Sequence, residues 1–139
     1  MKLKCKLDDG AKAPVRAYPT DAGLDLFSRQ IHVIRPKQWR NFKTGVHVEI
    51  PAGYYGKLES KSGLMSKSGI ICPGGIIDSG YSGEISVTLY NLSDQPYRIS
   101  IGDKVCQLLI LPCELPEVDV VEEIDSGERG DAGFGSTGK

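Results

Sequence analysis

Apolar and polar residues alternate with a period of two along much of this chain. Val46, Val48 and Ile50 interleave with His47 and Glu49, and Ile85, Val87 and Leu89 interleave with Ser86, Thr88 and Tyr90. Ile31 and Val33 continue the pattern more weakly. Such alternation sends one set of side chains to a core and the other to solvent, as in a half-buried strand. Val105-Cys106-Gln107-Leu108-Leu109-Ile110-Leu111 is apolar almost throughout and reads as a more fully buried strand. Turn chemistry separates these runs at Pro36, Pro51-Ala52-Gly53, Pro73-Gly74-Gly75, Ser93-Asp94-Gln95-Pro96 and Gly102-Asp103. With 17 glycines and 8 prolines no long helix fits, and at most one or two helical turns are expected near Leu64–Ser68. The predicted class is all-β, with many short strands arranged as a sandwich, jelly roll or small barrel.

Composition narrows the function. A chain of 139 residues suits one domain, and 40% hydrophobic with 25% charged residues is neither disordered nor membranous. No apolar run approaches the roughly 18 residues of a membrane-spanning helix. The opening Met1-Lys2-Leu3-Lys4-Cys5-Lys6 has basic residues with no apolar run behind them, so a cytoplasmic protein without membrane attachment is expected. Seventeen basic against eighteen acidic residues leave a net charge of −1, which argues against nucleic acid as a partner but not against a small anion held by a few placed groups. Cys5, Cys72, Cys106 and Cys113 form no C-x-x-C pair and read as structural thiols. His32 and His47 lie in alternating segments without the companions that a metal or nucleophilic site needs.

Four segments carry candidate chemistry. The segment 125–139 holds five glycines and one large apolar side chain, Phe134, too little to offset its ordering entropy. Gly133-Phe134-Gly135-Ser136-Thr137-Gly138 formally matches G-x-G-x-x-G, but no helix can follow it, so the dinucleotide-binding and P-loop readings both fail. Unshielded backbone N–H groups, two hydroxyls and Arg129 still suit a phosphate wrap, with Phe134 free to stack on a flat ligand; alone, the segment reads equally as a frayed terminus. Asp78, after Ile76-Ile77 and before Ser79-Gly80-Tyr81, is either a general base at the rim of an apolar pocket or an ordinary turn aspartate. Ser60-Lys61-Ser62-Gly63 and the serines and lysine after it form an anion-binding loop or simply a polar one. Asp25, between Leu24 and Leu26, faces away from both and by itself reads as a solvated strand carboxylate.

Taken in order, these pieces resemble the trimeric dUTPases. The resemblance rests on Ala22-Gly23-Leu24-Asp25-Leu26, Ser62-Gly63-Leu64, Gly75-Ile76-Ile77-Asp78-Ser79-Gly80-Tyr81-Ser82-Gly83, Gly102-Asp103-Lys104-Val105-Cys106-Gln107-Leu108, and 129–138. It spans almost the whole chain. It implies a jelly-roll-like β-domain over 1–124 and a flexible closing arm over 125–139. It also implies a homotrimer with shared active sites, and hydrolysis of dUTP to dUMP and pyrophosphate. By the same resemblance Asp78 orients the attacking water and Tyr81 packs beneath the deoxyribose. Gly75, Ile76 and Ser86 belong to a hairpin that reads uracil, while Lys61, Ser62, Gly63 and Gln107 bind phosphate. Asp25 holds waters of a Mg²⁺ carried mainly by the triphosphate. Arg129, Ser136 and Thr137 close on the γ-phosphate with Phe134 on the base, and Gly135 between them also binds substrate. Two departures are visible: Lys61 stands where the family usually has arginine, losing the planar fork, and Ala132 replaces a usual glycine. The rival readings are a dCTP deaminase of the same fold, a dUTP-sensing regulatory protein, and a plain β binding module.

Overall fold

The computed structural model describes residues 1–138. Eleven strands and one short helix follow in order: β1 (Lys4–Leu7), β2 (Leu24–Phe27), β3 (His32–Ile34), β4 (Trp39–Lys43), β5 (Val46–Glu49), β6 (Tyr54–Glu59), α1 (Ser62–Ser68), β7 (Ile70–Ile71), β8 (Ile76–Ile77), β9 (Ser86–Asn91), β10 (Tyr97–Ile99) and β11 (Lys104–Pro112). The strands pair antiparallel in four sheets, ordered β2-β11-β6-β8, β4-β9-β7, β1-β5 and β10-β3. This is the expected all-β, jelly-roll-like architecture. No helix among the described residues is long and apolar enough to cross a membrane.

The alternating runs form the core. Val46, Val48 and Ile50 are buried while Glu49 is exposed, and Ile85, Val87 and Leu89 are buried while Ser86 and Tyr90 are exposed. They meet Leu26, Phe42, Leu58 and Leu108 in one cluster. Removing a buried leucine such as Leu58 from such a cluster typically costs about 2–5 kcal/mol.

Two expectations about faces are corrected. In β3 it is Ile34 that is buried, while Ile31 and Val33 are exposed. His32 shares the inner face and sets its ring edge-on to Phe42 at 5.7 Å. The alternation was available in two registers one residue apart, and a slip of one exchanges the faces. In β11 the register shifts between Lys104 and Cys106, so the successive residues Val105 and Cys106 are both buried. Beyond Leu108 the strand is only half-buried, so the fully buried reading holds for its first half.

The helix α1 begins two residues before the expected turns and ends at Gly69, whose N–H returns to the carbonyls of Leu64 and Met65. All four cysteines are free thiols. Cys72 and Cys106 meet in the core, where their hydrogen bond and burial hold Cys106 well above the ordinary thiol range.

Candidate active site

β8 is an edge strand, pairing with β6 through only Gly56–Ile77 and Lys57–Ile76. The Leu58 N–H extends that contact to the Gly75 carbonyl at 3.0 Å. The approach to β8 passes through Gly74 at φ 112° and Gly75 at φ 142°, a backbone that side-chain-bearing residues rarely adopt. After β8 the chain turns, with the Tyr81 N–H on the Asp78 carbonyl at 3.0 Å. Tyr81 then folds back over its own turn, its hydroxyl donating to the Glu84 carbonyl at 2.9 Å. A Cβ on Gly83 would collide with the Tyr81 ring, so this close approach requires glycine.

These elements and the start of β9 enclose a cleft of about 360 Å³, lined among others by Gly75, Ile76, Asp78, Tyr81 and Ser86. Five of the predicted site residues therefore share one wall system. Asp78 is exposed there, and Ile76 presents an apolar face to the same space. Leu58, Gly74, Ile77, Glu84, Ile85 and Thr88 complete the lining and are not among the expected site residues. The edge backbone of β8 offers unpaired N–H and C=O groups to a flat heterocycle, and the Tyr81 ring offers an apolar platform.

A second group gathers on the other side of β6. Asp25 lies directly across from Gln107, and Gln107 directly across from Glu59. Asp25 is only 3% exposed, which overturns the solvated-carboxylate reading. Its Oδ1 lies 2.5 Å from Lys61 Nζ and its Oδ2 lies 2.9 Å from Lys104 Nζ. Burial pushes the Asp25 carboxyl up, but hydrogen bonds and charge from Lys61 and Lys104 outweigh it and leave the group below the usual carboxylate range. Gln107 donates from Nε2 to the Ser60 carbonyl at 3.0 Å, and the Ser60 hydroxyl is tied to Cys72. Lys61, Gly63 and Lys104 line a cleft of about 320 Å³ with Leu64, Tyr97, Ile99 and Asp103. Ser62 opens α1 beside it and is exposed. Lys104 is the residue missed here. It stands within a segment that carries the resemblance but is given no role there, and the pairing with Asp25 appears once β2 and β11 are in register.

Among the described residues none lines both clefts. Arg129, Phe134, Gly135, Ser136 and Thr137 line neither. Residues 127–138 form successive tight turns, closed by bonds such as Ala132 N–H to the Arg129 carbonyl, and Phe134 is fully exposed. One chain thus carries a base-sized cleft with a carboxylate, a separate cationic cleft, and a glycine-rich segment with an unburied aromatic ring. Among the described residues no three His, Cys, Asp or Glu side chains gather as a metal cage. Asp25 Oδ2 is buried, and its close approach to Lys104 Nζ lacks the alignment of a good hydrogen bond, so this oxygen keeps capacity to accept another donor.

These features describe a nucleotide-handling β-protein, and the comparisons name its kind. The dUTPase family model matches residues 9–138. The mouse deoxyuridine 5'-triphosphate nucleotidohydrolase is 37% identical over 96% of this chain and 83% of its own length. The fowlpox virus enzyme is 38% identical over 96% of this chain and 94% of its own. The human mitochondrial one is 37% identical, and this chain spans 56% of its length. Among solved structures, the dUTPase of Staphylococcus bacteriophage 80alpha with dUpNHpp superposes with a TM-score of 0.93, at 36% identity and with 99% of both chains covered. The chain belongs to the dUTPase family.

Proposed function

We propose that this protein hydrolyses dUTP to dUMP and pyrophosphate, limiting dUTP and supplying dUMP for thymidylate synthesis. The observation that carries this reading is the single cleft that brings Gly75, Ile76, Asp78, Tyr81 and Ser86 together. Uracil enters beside the edge of β8 and is read by backbone groups, with a fit too close for a thymine methyl. Tyr81, pinned by the Glu84 carbonyl and by Gly83, lies beneath the deoxyribose and leaves no room for a 2′-hydroxyl. Asp78 orients a water for in-line attack on the α-phosphorus and takes its proton. The P–O bond to the bridging oxygen breaks, and pyrophosphate leaves.

Lys61, Ser62, Gly63 and Gln107 hold the phosphates. The family fits a divalent cation, and Mg²⁺ is our assignment, since it keeps waters and phosphate oxygens in preference to a protein cage. The metal supplies charge neutralisation on the triphosphate. Asp25 Oδ2, whose pairing with Lys104 is poorly aligned, would accept from a water of the metal. Lys61 and Lys104 are the cations that leave Asp25 for phosphate as substrate arrives.

The base cleft and the cationic cleft have no residue in common, which supports a homotrimer in which different copies supply the two halves of each site. The strongly exposed Leu115, Val118, Val120 and Ile124 supply apolar surface for another copy to cover. We divide the chain into a body, 1–124, and an arm, 125–139. In the arm Arg129, Gly135, Ser136 and Thr137 close on the γ-phosphate while Phe134 stacks on uracil, excluding water. A cytoplasmic setting suits the adjacent free thiols Cys72 and Cys106.

The test is a nucleotide panel with Mg²⁺: dUTP, dCTP, dTTP and UTP, with products resolved by anion exchange. We expect dUMP and pyrophosphate from dUTP alone. Deamination of dCTP would make the protein a deaminase of this fold. Binding of dUTP without turnover would make it a sensor.

A further inference from the structure

β1 and β5 form a two-stranded ribbon in which Lys6 lies opposite His47. Val46 and Val48 on either side of His47 are buried, so its ring projects from the other face of β5. There it sits between Asp8, just after β1, and the 81–84 turn of the base cleft. Nδ1 is 2.9 Å from the Ser82 carbonyl oxygen, and Nε2 is 3.1 Å from each oxygen of Asp8. Both partners accept and neither can donate. A neutral imidazole has one N–H and satisfies one of them; an imidazolium satisfies both.

The same turn has a second tie. Glu84 Oε1 accepts the Gly45 N–H at 2.8 Å and faces Arg29 Nη1 at 3.9 Å, while Arg29 also lies 3.7 Å from Asp8 Oδ2. Ser82 and Glu84 are therefore both anchored to the block made by Asp8, Arg29, Gly45 and His47. Between the two anchors lies Gly83, with the Tyr81 ring stacked against it and the Tyr81 hydroxyl on the Glu84 carbonyl. The Ser82 carbonyl foremost, then Asp8, holds His47 above the ordinary imidazole value, and His47 holds Asp8 below the carboxylate range.

We propose that His47 is a positioning residue of this site: as an imidazolium bridging the Ser82 carbonyl and Asp8, it holds the Tyr81–Glu84 turn in the shape that receives the sugar, and substrate binds more weakly once the ring loses its proton. The inference rests on the reading of the base cleft given above. Loss of the proton sets a ring lone pair against either a carbonyl or a carboxylate oxygen, and the turn loses one of its two ties. The charged groups around the ring divide clearly. Asp8 favours the proton, Lys6 opposes it, and Glu84 pairs with Arg29, which is shared between it and Asp8. Lys4 and Glu49 farther along the ribbon pair with each other at 3.1 Å, and Cys5, which lines a recess with His47 and Ser82, contacts the ring through no polar atom. His47 touches no reacting atom, so its effect falls on KM for dUTP and not on the chemical step.

The experiment measures kcat and KM for dUTP from about pH 5.5 to 9 in the full chain and in His47→Gln, across the range where a histidine titrates. KM of the full chain is expected to rise roughly 3- to 10-fold through one ionisation as pH increases. In His47→Gln it should stay flat near the raised value, the loss falling on KM and not on kcat. By linkage, dUpNHpp must tighten proton binding at His47 by the same factor, a rise of about 0.5–1 in its pKa, read from imidazole proton shifts with His32 as internal control. That titration needs no variant and no turnover, so it stands even where His47→Gln fails to fold or where dUTP is bound but not cleaved. Identical KM profiles in the two proteins, or a His47 pKa unmoved by dUpNHpp, overturn the proposal. Failure to turn over dUTP overturns the proposed function instead.

Discussion

Asp78 stands exposed on the wall of the base cleft, where replacing one atom separates its charge from its shape. Asp78→Asn keeps the side chain's size and removes its ability to take a proton from water. General-base removal typically costs about 10²–10⁴ in rate. We expect kcat to fall by that factor while dUTP binding, followed by calorimetry, persists; full activity would remove Asp78 from its role. Asp25 behaves oppositely, as a buried charge whose worth lies in its partners. Its folded pKa lies below the unfolded value of about 3.9. Its contribution to stability is therefore present above that value and is lost as pH falls through the folded pKa. Asp25→Asn should destabilise the fold by about 1–3 kcal/mol at neutral pH, less than a fully buried pair would, because both lysines reach solvent. Urea unfolding at pH 7 and at pH 3 should show that difference shrinking in acid. The burial of Asp25 was not legible in the sequence, where its neighbours Leu24 and Leu26 suggested only that it faced away from them. Its counter-charges arrive from Lys61 and Lys104, which only strand pairing brings near.

At the scale of elements, the strands were readable where alternation is strong and ambiguous where it is short. β5 and β9 carry two apolar positions each in strict alternation, continued by Ile50 just after β5 and Ile85 just before β9, and both bury the expected face. β3 offered Ile31 and Val33 against His32 and Ile34, and only contact with Phe42 decides between them. The hairpin of the base cleft was visible as a string of glycines around Asp78 and Tyr81, but its working geometry was not, because Tyr81 folding onto Gly83 is a tertiary arrangement. That contact yields a prediction: Gly83→Ala displaces the Tyr81 ring. KM for dUTP should rise about tenfold or more, the discrimination against UTP should fall, and circular dichroism should stay unchanged, since the strain is confined to one turn. A variant that still separates dUTP from UTP as well as the full chain would remove Tyr81 from sugar recognition.

For the whole molecule, the question is how one chain with two separated clefts makes one site. The proposed homotrimer should sediment at about three times the 15.1 kDa chain mass, yet that alone would not show that sites are shared. Complementation would. Chains lacking residues 126–139 should remain folded, because Phe134 and its neighbours contribute nothing to the core, and should turn over dUTP poorly. Asp78→Asn chains keep the arm and lack the base. If base cleft and arm come from different copies, unfolding and refolding an equal mixture of the two creates sites with an intact Asp78 from one copy and an intact arm from another. Random assembly makes about one site in four complete in this way. Activity should therefore return to roughly a quarter of that of the full chain, although neither parent works alone. If the arm closes on its own chain, every site in every mixed assembly lacks either Asp78 or the arm, and mixing restores nothing. Recovery would also fix which parts are exchanged, since the same mixture made with Asp25→Asn in place of Asp78→Asn asks the question of the cationic cleft.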